Sequence, residues 1–203
     1  PTSVLMPLKG SLMSSLRTLL LLALLLSAGQ VLAAGIDFDT WPTGRIYGAG
    51  THAPGTLITT ESGIECRSDI LDTGSGTAYG DAFIQNAGGA FGSGRYLQFS
   101  NIGMFFVLPT VATEVSFNLA DYGGAMNLEV NGAGRWIFGD VPSLDGKEIA
   151  PGVIASVSGS YNGSNFFGSV TLQGSVLNIS VCGAEMLVDR FEFNGIAQPD
   201  YTG

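Results

Sequence analysis

From residue 35 onward, apolar side chains recur at every second position in short runs broken by Gly, Asn, Ser and Pro, and no stretch holds a 3.6-residue period. A chain patterned this way has no helical stripe to bury. It makes short strands with one face turned inward, and therefore a sandwich or a barrel. Ile36 and Phe38 alternate with Asp37 and Asp39, and Val115, Phe117 and Leu119 alternate with Glu114, Ser116 and Asn118. Met126, Leu128 and Val130 alternate with Asn127, Glu129 and Asn131, and Asn131-Gly132-Ala133-Gly134 then turns into Trp136-Ile137-Phe138, the clearest hairpin of the chain. Strands are also expected at 57–60 and 64–67 around a Glu61-Ser62-Gly63 turn, at 96–99, and at 105–108 with Pro109 ending it. The closing ones are expected at 153–157, 170–172, 177–181 and 186–193.

Residues 1–34 have a different character. Lys9 and Arg17 precede the apolar run of residues 19–26, and Val31-Leu32-Ala33-Ala34 offers the small residues that a signal peptidase reads. The reading is a cleavable export helix, with Met6 or Met13 as the start and cleavage after Ala33 or Ala34. The run is too short for a bilayer-spanning helix, which needs about 20 apolar residues. Residues 35–196 then form one β domain and residues 197–203 a loose tail. The chain carries a net charge of −9, and loss of Lys9 and Arg17 with the leader makes it −11. That balance argues against nucleic acid and anionic membrane surfaces, which need clustered Lys and Arg. In a secreted or periplasmic setting the two cysteines, Cys66 and Cys182, are expected to form a disulfide, with two half-buried free thiols as the alternative.

Two long loops, 40–56 and 72–94, carry aromatic residues between glycines, and loops at the ends of a sandwich are where ligand contacts usually sit. The closing Val188-Asp189-Arg190-Phe191-Glu192-Phe193 resembles the last strand of secreted bacterial jelly-roll domains. Ile36-Asp37-Phe38-Asp39-Thr40-Trp41-Pro42-Thr43-Gly44 is similar to their first strand and loop, Gly63-Ile64-Glu65 to the strand that follows, and 117–124 to a mid-sandwich strand and turn. The resemblance implies a jelly-roll-like antiparallel two-sheet sandwich. The group includes carbohydrate-binding modules and surface domains, so a polysaccharide or a cell-surface protein is implied as partner by analogy.

Enzymatic chemistry finds little footing. His52 is the one histidine, no nucleophile elbow is present, and Gly74-Ser75-Gly76 and Gly92-Ser93-Gly94 lack a following lysine. Glu65, Glu129, Asp121 and Glu185 are the carboxylates from which a glycosidase pair would be drawn. For a sugar ligand the candidate contacts are Trp41, Tyr47, Tyr79, Tyr122 and Trp136, with Asp81 nearby, and exposure is expected of Trp41 and Tyr47 more than of Trp136. Strand parity puts Asp189 on the inward face with Leu187, Phe191 and Phe193, where a bare carboxylate is costly. It is read either as a structural calcium ligand beside Asp37 or Asp39, or as an acceptor for backbone N–H groups or an arginine, unless a bulge turns it outward.

Overall fold

The computed structural model describes residues 32–61, 63–86 and 94–196. The expected leader up to residue 31, the tail from residue 197 and part of the second aromatic loop lie outside these residues. The chain runs β1 (Leu32–Ile36), β2 (Ile46–Gly48), β3 (Leu57–Glu61), β4 (Ile64–Asp69), β5 (Leu71–Asp72), β6 (Thr77–Ala78) and β7 (Asp81–Asn86). It continues with β8 (Arg95–Asp121), β9 (Met126–Val130), β10 (Arg135–Phe138), β11 (Glu148–Ala150), β12 (Val153–Asn162) and β13 (Asn165–Ile196). Among the described residues there is no α-helix, only one short 3₁₀ turn at Val141–Leu144, and every strand pair is antiparallel.

Two long strands organise the sheet, and each curls far enough to meet the other twice. Residues 97–107 of β8 pair with 178–188 of β13, while residues 114–121 of β8 lie between 166–173 and 186–194 of β13. β7 and β4 follow one another along the far edge of the first half of β8, and β12 flanks the first third of β13. Sequence reading splits these two strands into six. Pro109 does not end a strand, because no β13 partner is paired between Val107 and Ala112, so its missing N–H breaks no bond there as β8 bends between its two pairings. The hairpins expected at 57–67 and 126–138 both form, the first with a register shift between Leu57 and Thr59.

The core holds an aromatic cluster around Phe191, whose ring centroid lies 4.5 Å from Phe106, 4.8 Å from Phe117, 6.2 Å from Phe193 and 6.4 Å from Phe38. A bulge puts Phe191 there. Between Asp189↔Asn118 and Glu192↔Ser116 one strand advances three residues and the other two, and Arg190 takes φ 50°. Val188, Phe191 and Phe193 therefore face inward together, and Asp189 lies on the other face. The simple parity of the sequence, which grouped Asp189 with the two phenylalanines, fails at this extra residue.

The expected disulfide is not formed: Cys66 and Cys182 are both buried free thiols. Register explains why. Cys66 sits in the row Cys66–Phe106–Ile179, and Cys182 three residues along in the row Asp69–Gly103–Cys182–Asn127. An odd offset places them on opposite faces, and two strand spacings separate them by about 10 Å, beyond the roughly 7 Å Cα reach of a bridge. The Cys182 thiol fills the space above Gly103, where a Cβ would lie 2.1 Å from the sulfur. Burial, with the Asp69 carboxylate nearby, pushes that thiol up to about 12. Neither cysteine should alkylate in the native protein at mildly alkaline pH, and both should in denaturant. Mass spectrometry of unreduced, alkylated protein checks this, and an unmodified pair after denaturation without reductant would contradict it.

Candidate functional site: a tyrosine-walled groove

Tyr96, Gln98 and Ser100 occupy alternate positions of β8, opposite the inward Leu97 and Phe99. Their neighbours are fixed by register: Gln98 pairs with Leu187 and Phe83, and Ser100 with Glu185 and Asp81. At residues 186–188, β13 has the first half of β8 on one side and the second half on the other. The sheet surface between these halves is a groove of about 420 Å³ lined by Tyr96, Gln98, Ser100, Tyr122, Glu185 and Leu187, with Phe99 and Met186 contributing.

Tyr122 is placed by local chemistry. Asp121 Oδ1 accepts the Gly123 N–H at 2.7 Å, closing a turn across the tyrosine, and the Tyr122 N–H donates to the Glu185 carbonyl at 2.9 Å. The Tyr122 ring meets Phe167 edge to face at 5.9 Å and stays 39% exposed. Burial raises the phenol pKa of Tyr96, and the nearby Tyr122 hydroxyl adds to the shift. Burial likewise raises the Asp121 carboxyl, opposed by the Gly123 N–H and reinforced by Asp140. The groove thus offers two aromatic rings with amide, hydroxyl and carboxylate groups between them. This pairing of flat apolar faces with hydrogen-bonding edges suits a polyhydroxylated ligand.

The other sequence candidates are distributed differently. Trp41 and Tyr47 are 5% and 2% exposed, not solvent-facing. Their loop contains β2, whose Tyr47 pairs with the inward Ala82, and Trp41 packs between Phe38 and Tyr47 at 5.2 and 5.4 Å. The Tyr79 hydroxyl donates to the His52 carbonyl at 2.5 Å and lies 2.7 Å from Ser68 Oγ, pinning the loop to β4. Trp136, expected to be packed, is 40% exposed on the outer strand β10, with its indole N–H on the Ile149 carbonyl at 3.0 Å. It shares a row with the core residue Leu128 and so does not share the groove's face. Of the six, Tyr122 enters the groove and Asp81 flanks it through Ser100. Tyr96, Gln98 and Ser100 were missed, although the alternation Tyr-Leu-Gln-Phe-Ser already put three polar or amphipathic side chains on one outward face.

The acids separate in the same way. Glu65 is paired with Arg67 at 2.7 Å, and Glu129 with Arg135 at 3.2 Å, so of the four glycosidase candidates Glu185 alone lines the groove. Asp189 is 4% exposed, and its Oδ1 accepts the Arg190 N–H at 2.8 Å. Asp37 and Asp39 lie close enough to act on its charge, but Asp37 Oδ1 accepts the Asp39 N–H and Asp39 Oδ1 accepts the Arg95 N–H. Among the described residues, no group of three or more His, Cys, Asp or Glu side chains is arranged to hold a metal ion. The geometry around Asp189 is that of a backbone anchor at the bulge. No family model, no curated protein and no solved structure matches this chain.

Proposed function

We propose that this protein is an exported, non-catalytic binding module of jelly-roll-like two-layer architecture, whose ligand is a carbohydrate held in the Tyr96–Tyr122 groove. One observation carries the reading: two tyrosines flank a single strand-floored groove whose remaining walls are Gln98, Ser100 and Glu185. A sugar ring presents an apolar face to each tyrosine and hydroxyls to the polar groups between them. The leader-like residues 1–34 and the acidic balance support an extracytoplasmic setting.

A glycan array followed by calorimetry tests the proposal. Tyr96→Ala and Tyr122→Ala should each weaken binding about tenfold or more, since buried aromatic anchors typically contribute over 1 kcal/mol. Trp136→Ala, an exposed aromatic outside the groove, should leave affinity within a factor of about two. Absence of binding to any saccharide, or loss through Trp136 alone, overturns the reading.

A second reading has one specific support. Outer strand β10 exposes Trp136 on one face and Ile137 on the other, beside a strand edge with no partner among the described residues. An adhesive surface protein that self-associates through this edge would show concentration-dependent light scattering without sugar, abolished by Ile137→Lys.

A further inference from the structure

Resting on the carbohydrate reading above, we propose that the groove selects saccharides bearing free amines, in their cationic form, over N-acetylated, neutral or carboxylated ones. The row Asp81–Ser100–Glu185 crosses three adjacent strands, so the two carboxylates straddle Ser100 on the groove's face. Directly paired residues are about 5 Å apart at Cα, so the two acidic residues lie about two strand spacings, roughly 10 Å, apart across Ser100.

Among the described residues, neither carboxylate is in an ion pair. The ion pairs among the described residues engage Glu65, Asp69 and Glu129, all elsewhere on the sheet. Among the described residues, Asp81 Oδ1 accepts one long bond, from the Gly50 N–H at 3.4 Å. No lysine, arginine or histidine is among the residues lining the groove. A carboxylate beside two phenol rings is the environment that an ammonium group prefers, attracted by the charge and by the negative ring faces. The same field repels uronic acids and sulfated sugars, and a neutral N-acetyl group gains nothing from it. The protein's net negative charge adds a longer-range attraction that salt screens.

The test is calorimetry at mildly acidic pH and two salt concentrations, with glucosamine, N-acetylglucosamine, glucose and galacturonate oligomers of equal length. The protein should bind the glucosamine oligomer at least about tenfold more tightly than the N-acetylated one at low salt. Glu185→Gln should remove most of that preference, lowering affinity for the glucosamine oligomer far more than for the neutral ones, and Asp81→Asn should reduce it further. Tyr96→Ala keeps every charge and should still lose the glucosamine oligomer. Survival of binding in Tyr96→Ala would mean a polycation held only by net charge, and would overturn the inference. Neutral and amine oligomers bound equally, with both losing affinity in Tyr96→Ala, would also overturn it while leaving the carbohydrate reading intact. No binding by any oligomer would remove both. Thermal melts of each variant identify any loss caused by unfolding.

Discussion

Phe191→Ala is expected to be the most damaging single substitution at an aromatic core position, costing about 3–5 kcal/mol. The ring touches four other phenylalanines from β8, β13 and the segment after β1, so its removal leaves a cavity that no one neighbour can fill. A domain of this size has about 5–15 kcal/mol of total stability, so the variant sits near the edge of folding. Urea denaturation reads the effect as a fall in midpoint at unchanged slope. A loss below about 1 kcal/mol would show that the cluster is not the centre of the core.

The second large effect belongs to the other side of the same bulge. Burial, with Asp39 and Asp37 adding to it against the Arg190 N–H and charge, pushes the Asp189 carboxyl from an ordinary 3.8 to about 6. The folded protein therefore holds this proton more tightly than the unfolded chain does. The resulting stability is fully present below the unfolded value near 3.8 and is lost as pH rises through about 6. At pH 8 the buried charge costs on the order of 2–3 kcal/mol relative to the protonated form. Asp189→Asn keeps an acceptor for the Arg190 N–H and removes the charge. In chelator it should melt several degrees above wild type at pH 8 and close to wild type near pH 4. If Asp189→Asn instead destabilises at pH 8 and chelator lowers the wild-type melting temperature, a cation compensates Asp189 and the calcium expectation of the sequence stands.

These two residues also mark how far the sequence could be read. Period-two alternation showed an all-β chain and both short hairpins, because each strand's inward face is written locally. It did not show that 95–121 and 165–196 are single curling strands, since a bend costs no change in alternation and Pro109 falls where no partner needs its N–H. One inserted residue, Arg190, inverts the parity on which the Asp189 reading depended. Trp41 and Tyr47 lie in a glycine- and proline-rich loop that reads as exposed, yet a three-residue strand within it carries Tyr47 into the core. Cys66 and Cys182 were legible as a pair, but their opposite faces depend on the register of three strands. The groove was half legible: Tyr122 and Asp81 stood out by type, whereas Tyr96, Gln98 and Ser100 become a site only when β13 is laid beside them.

Amide chemical-shift mapping during titration with glucosamine and glucose oligomers decides whether the Tyr96–Tyr122 groove receives a saccharide. The expected result is saturable shifts concentrated at Tyr96, Gln98, Ser100, Tyr122 and Glu185, on both halves of β8 and the strand between them. Shifts centred on Trp136 to Phe138, or none with any oligomer at millimolar concentration, would contradict it.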